Sequence, residues 1–477
     1  MDTVIGIDNI SDLELKVDTI DGMSSDELRA TKKRIDDMAG ACEEELDYED
    51  AFRRSSLPGP YPRLTKAYRA GELKKKIFAP DSNYSQLVAR LATVASTDLE
   101  LREADVRKRQ TVYEHFRADL DFKAARDRAG VVWKNKRISI PERGEVTLAN
   151  LRDGYVHPNE ATRKATLEAF ETLDDLEAAA LPAVRILNEK VANEGQFKNF
   201  VEVQAHYSEL PKTPVLEGMM ISFFRGTKRT YEALFRELVS DTPVKTWNLE
   251  YMISQRDPFF RATVQKDPEV LFTIARELFG KLGYAQELLE TLFDRNRPGL
   301  FIDPHQREGK WPGAVNYSLG ANSIGKNVML YNPATYEADP RRRWYTLPHE
   351  FAHAVMYELS RQAAAKHGAA FFTENTVAAE TVTSIHQALA MERDAWIGHV
   401  TNVDEQTLQK WNAFMDLRRM YMNINLSLGE IGMHRNGVET GREQFYIARE
   451  LTRPELLERR EPSASHAAVT HVWNTPG

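Results

Sequence analysis

The sequence predicts a large, mainly α-helical protein with a small β-sheet beside one metal-binding helix. Three observations carry this. Ala, Leu, Glu and Arg dominate the 477 residues, and strand patterns punctuated by Gly and Pro are few. Short extended patterns cluster at about residues 300–332. Soon after them, His349-Glu350-Phe351-Ala352-His353 sets two imidazoles four residues apart, on one face of a helix.

A chain of this length that is 42% hydrophobic can bury a large core and exceeds the usual size of one domain. The stretch 130–155 is the best candidate boundary, dividing an N-terminal helical lobe (1–150) from a domain that carries the metal motif (151–477). Cys42 is the only cysteine, so an intramolecular disulfide and a thiolate metal cluster are both excluded, and a reducing, cytoplasmic setting is expected. The N-terminus has no basic region followed by an apolar run, and nowhere do 18 apolar residues run together. Neither a leader nor a membrane partner is expected. The net charge of −8 is uneven, because residues 1–50 hold 16 acidic and 5 basic side chains. An acidic head argues against nucleic acid as a partner and reads as a solvated face.

In chain order, Ser24-x-x-Glu27 is a capping box that opens a helix through Leu28, Ile35 and Met38. Leu57-Pro58-Gly59-Pro60-Tyr61-Pro62 must be a loop. Thr97-x-x-Glu100 opens a heavily charged helix reaching about Ala129, whose alternating charges suggest a solvated surface. Arg137–Pro141 and Glu145–Leu148 read as a small hairpin or an extended connection. Helices are then expected over about 159–193, 199–207, 215–239 and 268–293. Phe301-Ile302-Asp303-Pro304, Gly309–Tyr317 and Asn327–Asn332 read as strands of one small sheet, whose free edge could pair with an extended peptide. Pro340-Arg341-Arg342-Arg343-Trp344-Tyr345 reads as a solvated loop.

Phe351, Ala354 and Val355 make the His349 helix largely apolar, so it is expected to be buried. Polar residues on such a helix need compensation. Two imidazoles, a carboxylate and one open position suit Zn2+, and Glu350 sits where it could polarise a water on that ion. The segment that follows offers two candidates for the third ligand. Glu380 lies on an apolar helical stretch between Val377 and Ser384, where an uncompensated carboxylate is costly, and it is preferred. Glu374 stands at a helix start, where capping explains it.

The run from Gly309 to Ser384 resembles the thimet oligopeptidase and oligoendopeptidase F group of zinc peptidases. Three blocks carry the likeness, in the same order and spacing: Arg307-Glu308-Gly309-Lys310-Trp311-Pro312-Gly313-Ala314; Thr346-Leu347-Pro348-His349-Glu350; and Ala379-Glu380-Thr381-Val382-Thr383-Ser384. The resemblance implies a helical zincin-like body with a deep substrate channel and one Zn2+ on its floor, held by His349, His353 and Glu380. It also implies short peptide substrates lying against Gly313 and Ala314, with Glu350 as general base. Three departures stand out. Ala352 replaces the family's Gly, and Met356 replaces a common His. The sequence given stops at Gly477, just after His471, which resembles a family His that precedes a Tyr-rich, transition-state-stabilising segment. Tyr421 and Tyr446 are the tyrosines available to replace it. The alternative reading is therefore a catalytically weak or silent peptide-binding protein of the same fold. Oligomeric state is not legible.

Overall fold

A computed structural model of the chain describes residues 20–55, 64–79, 81–148, 151–258, 268–293, 300–303, 314–318, 327–331, 340–367, 376–390 and 404–460. The expected mainly helical architecture is what it shows, with five short strands among the described residues. The chain divides into two compact units, each assembled from separated stretches. One comprises Met1–Ala118, Lys266–Pro333 and Thr346–Gln387; the other comprises Asp119–Gln265, Ala334–Tyr345 and Ala388–Gly477.

The first unit begins at the expected capping box. The Ser24 N–H and hydroxyl each donate to the Glu27 carboxylate at 2.8 Å, and the Glu27 N–H returns to Ser24 Oγ, opening α1 (Ser25–Ser55). Helices α2 (Leu64–Ile77) and α3 (Asn83–Val94) pack on it around Leu28, Ile35, Cys42, Phe78 and Leu87. Thr97 caps α4 (Asp98–Arg117) by accepting the Glu100 N–H at 3.2 Å. The long helix expected from here to Ala129 is in fact two. Asp119 accepts the Phe122 N–H at 2.9 Å and restarts the chain as α5 (Leu120–Asn135), a cap hidden among many other acidic residues. Nor is α4 solvated all round. Arg107 is only 6% exposed and faces Asp36 at 3.7 Å, while Lys32 bonds both Asp36 and Glu103. Part of the charge alternation is thus an ion network between α1 and α4. Removing one partner from such a network costs more than the network contributes over apolar packing.

The second unit starts at α5. Strands β1 (Arg137–Ile140) and β2 (Gly144–Thr147) form a hairpin, one of the two readings the sequence leaves open, its turn using positive φ at Glu142 and Gly144. Then follow α6 (Leu151–Tyr155), α7 (Glu160–Glu171), α8 (Asp174–Glu194), α9 (Phe200–Tyr207), α10 (Thr213–Leu238) and α11 (Leu249–Arg256). The helix expected over 159–193 breaks between α7 and α8, where fully buried Leu173 leaves helical geometry (φ −91°, ψ 44°).

The chain then returns to the first unit. The helix expected over 268–293 is α12 (Pro268–Lys281) and α13 (Gln286–Phe293), separated by Gly283 at φ +87°, a conformation few other residues adopt. The expected sheet has the order β3-β5-β4, from β3 (Leu300–Asp303), β4 (Ala314–Ser318) and β5 (Asn327–Tyr331). Central β5 runs parallel to β3 and antiparallel to β4, which is an edge strand among the described residues. Tyr317 donates its hydroxyl to Asp50 of α1 at 2.7 Å, so α1 covers the face that carries Val315 and Tyr317. Asn316, Met329 and Asn327 lie on the opposite face. Then come α14 (Pro340–His367) and α15 (Thr376–Ala390). The stretch expected to be a loop at Pro340–Tyr345 forms the first turns of α14, with Pro340 at its first position, where a missing N–H costs nothing.

Helices α16 (Glu405–Asn436) and α17 (Gly441–Thr452) complete the second unit. They approach closely because Gly429 and Gly432 have no side chain; a Cβ at either would lie 2.6 Å from Phe445 or Gln444. Among the described residues no helix is long and apolar enough to cross a membrane.

Buried His434 of α16 shares a 2.7 Å hydrogen bond between its Nδ1 and Asn188 Oδ1, while its Nε2 has no partner among the described residues. Burial pushes its pKa down to about 3. An unfolded chain takes up that proton near pH 6.5, so the folded state holds fewer protons between about pH 6.5 and 3. Stability from neutral His434 is therefore complete above that window and is lost as pH falls through it. Urea unfolding at pH 7, 6, 5 and 4 should show wild type losing up to about 1.4 kcal/mol per pH unit more than His434→Gln. Parallel losses in the two proteins would refute this role for His434.

Candidate metal centre

The centre is built on α14, where packing fixes the helix before any ligand is considered. Leu347, Phe351, Ala352, Ala354 and Val355 are each at most 2% exposed, and the Phe351 ring lies 4.5 Å from that of Phe293. Burying such side chains contributes roughly 1.5–3 kcal/mol for each large one. Ala352 fits this face without difficulty. With the helix so held, His349 and His353 fall on its remaining flank, their ring centroids 4.9 Å apart and nearly perpendicular.

Helix α15 supplies the opposing carboxylate. Glu380 Oε2 lies 3.4 Å from His349 Nε2, and Glu380 Oε1 lies 3.5 Å from His353 Nε2. One donor atom from each residue lies within 4.8 Å of the other two. Burial opposes ionisation of Glu380, but hydrogen bonding and charge from the two histidines prevail and hold its carboxyl far below the ordinary range. Glu374, the alternative ligand, lies outside the described residues.

A second residue of α15 orients the first imidazole. Gln387, two turns beyond Glu380 and only 6% exposed, has its Oε1 3.2 Å from His349 Nδ1. An amide oxygen only accepts, so Nδ1 carries the proton. In the neutral ring that leaves a lone pair on Nε2 facing the Glu380 carboxylate, and two acceptors at 3.4 Å need a cation between them. A proton meets that need, as does a metal ion, and this donor set of two imidazoles and one carboxylate fits one Zn2+. His386 is not part of the set. Its Nδ1 donates to the Val382 carbonyl and its Nε2 accepts the Tyr284 hydroxyl, both at 2.7 Å, while its ring stacks on Phe279. These contacts clamp α15 against α12 and the turn that follows it.

Glu350 is 7% exposed, between the two histidines on the helix but turned off their row. Burial raises its pKa, as does the Glu380 charge; the two histidines and a main-chain N–H of Asn316 in β4 pull it down. Burial prevails and leaves the carboxyl above its ordinary pKa, which favours its taking up a proton, as a general base must.

The structure places the remaining candidates as follows. Ala314 begins the edge strand β4. Gly313, the rest of the Arg307 block and His471 lie outside the described residues. Met356 is partly buried on α14, one residue short of Tyr357, whose ring stacks on that of His353. Tyr421 lies in the aromatic core of the second unit, 4.5 Å from the Tyr231 ring, with its hydroxyl 3.0 Å from Thr227 Oγ1. Tyr446 lies under the Arg449 guanidinium. Sequence reasoning missed Gln387 and Asn316. Gln387 had a signal, since it is seven residues from Glu380 and so on the same helical face; Asn316 had none outside the three-dimensional fold.

No family model matches the chain, and no curated protein matches it. Solved structures do. A crystal structure described as an oligoendopeptidase F from Bacillus anthracis str. Ames superposes with a TM-score of 0.52 at 12% identity, covering 92% of this chain and 84% of its own. A structure of PZ peptidase A with an inhibitor gives a TM-score of 0.52 at 13% identity, with the same coverage. At such identities the likeness is one of fold.

Proposed function

We propose that the chain is a zinc metallo-oligopeptidase that hydrolyses internal bonds of short unstructured peptides in the cytoplasm. The observation that carries this reading is the convergence of His349, His353 and Glu380 from two helices, with buried Glu350 beside them. The fold it shares with solved peptidase structures, and the three motif blocks in order, support it.

Zn2+ held by His349, His353 and Glu380 would acidify a water and polarise the scissile carbonyl. The protein's own residues do the rest. Gln387 fixes the His349 tautomer, so that Nε2 offers its lone pair. Glu350 accepts the proton of the attacking water and passes it to the leaving amine. Ala314, at the start of β4, pairs with the extended substrate, and Gly313 serves the same role.

The test is incubation of the protein with a mixed pool of short unstructured peptides and with folded proteins, with zinc measured in the same preparation. The expected result is about one zinc per chain and internal cleavage of the peptides alone. Zinc without cleavage of any peptide would move the assignment to a peptide-binding protein. Absence of bound zinc after reconstitution would remove the metal centre itself.

A further inference from the structure

We propose that Tyr284 and His386 are positioning residues for the metal centre, setting the rotation of α15 that brings Glu380 to His349 and His353. The proposal rests on the zinc centre of the reading above and not on peptide cleavage.

Tyr284 is presented on a fixed turn. Helix α12 is closed by Gly283 in the left-handed conformation, where the Gly283 N–H donates to the Gly280 carbonyl at 3.0 Å and the Tyr284 N–H to the Phe279 carbonyl at 3.3 Å. The Tyr284 ring lies 5.6 Å from that of fully buried Phe279. The His386 ring stacks on the same Phe279 at 5.2 Å, with the two planes 16° apart. A carbonyl only accepts, so His386 Nδ1 carries the proton shared with Val382, and Nε2 accepts the Tyr284 O–H at 2.7 Å. The Nδ1 bond locks the ring to its own helix. The Nε2 bond and the stack tie that ring to α12 and its closing turn, so the ring and α15 are held as one piece.

Phe279 also connects this clamp to the metal helix. Its ring lies 6.1 Å from that of Phe293 in α13, and the Phe293 ring lies 4.5 Å from that of Phe351 in α14. Both ligand-bearing helices therefore pack against one aromatic wedge, which needs no bound ion to keep its shape.

Helical geometry carries the clamp to Glu380. Glu380 and Gln387 are seven residues apart and share a row, whereas His386 lies about 100° round the helix from Gln387. The clamp thus grips a flank and leaves the ligand row facing α14. The end of a long side chain lies about 5–6 Å from the helix axis, so a turn of about 10° carries it roughly 1 Å. Metal–ligand distances tolerate only about 0.2 Å. Glu380 cannot resist such a turn through its own packing, because its side chain is 53% exposed.

Tyr284→Phe removes one hydroxyl, and His386→Phe keeps a ring on Phe279 while removing both hydrogen bonds. Zinc affinity, measured by chelator competition, should fall about tenfold in each, the lower end of the effect usual for a partner outside the ligand set. The two residues act through one contact, so the double variant should lie within about twofold of His386→Phe. Ile35→Val, in the core formed by α1, α2 and α3, lowers stability without touching the clamp and should keep wild-type zinc affinity. Zinc affinity within about twofold of wild type in Tyr284→Phe, or an equal loss in Ile35→Val, would overturn the proposal. Should His386→Phe fail to fold, Tyr284→Phe beside Ile35→Val decides alone. A wild type that binds zinc and cleaves no peptide, with these affinity losses, would keep the proposal and lose the peptidase reading. A wild type that binds no zinc would remove both.

Discussion

Glu350→Gln should lower kcat/KM on short peptides by about 10²–10⁴-fold, the contribution usual for a positioned general base, and leave zinc content unchanged. The separation of the two effects is the informative part. Glu350 is not among the three converging ligand residues, so the substitution leaves all three in place. Gln has nearly the same shape, so the local packing is kept. It also removes a carboxyl group from a site where burial disfavours its charged form, so the variant should melt no lower than wild type. A fall in activity with zinc and stability intact therefore isolates proton transfer. Peptide cleavage assays, metal analysis and thermal melts on the two proteins check it. Retention of more than about a tenth of the wild-type kcat/KM would show that another group carries the proton and would remove Glu350 from the mechanism.

The legibility of this fold in its sequence follows from what each signal encodes. Ser24 with Glu27 states a helix start completely, because both partners of the cap lie within one turn. Asp119 states one equally well, but it stands in a run where about half of the residues are charged. The breaks at Leu173 and Gly283 were missed for a related reason: apolar periodicity continues across them, and what changes is backbone geometry. The Arg107–Asp36–Lys32 network reads as a solvated surface in sequence because alternating charge looks the same whether it faces water or a second helix.

The centre divides in the same way. His349 and His353 are legible because four-residue spacing on a helix is a geometric statement. Glu380 is legible by exclusion, as an ionisable group on an apolar stretch, and the fold sets it opposite the two rings. Gln387 and Asn316 work through tertiary contacts with α14 that no local pattern encodes. The tyrosines illustrate the converse. Tyr421 was a candidate by residue type alone, and the structure gives its hydroxyl a partner in Thr227 and its ring a place among Tyr231, Phe224 and Phe414.

Glu380→Ala should abolish zinc binding at concentrations that saturate wild type, and the loss should exceed that from Gln387→Ala. The reasoning is graded. Glu380 faces both imidazoles, so its removal leaves two neutral donors and no anionic ligand. Gln387 touches only the rear of one ring, and losing an outer partner of that kind typically weakens metal binding by about 10–100-fold. A direct ligand must cost more than that. Binding to the folded state alone stabilises by about 2.7 kcal/mol at a metal concentration 100 times Kd, so wild type should melt distinctly higher with zinc than without it. Glu380→Ala should show no such rise, and Gln387→Ala an intermediate one. The Glu380 side chain is 53% exposed, so without metal the variant should melt close to metal-free wild type. This order of effects follows only if the ion sits where the three residues converge. If Glu380→Ala keeps the zinc-dependent rise, the third ligand is another residue, and Glu380 serves only as the charge partner of His349 and His353.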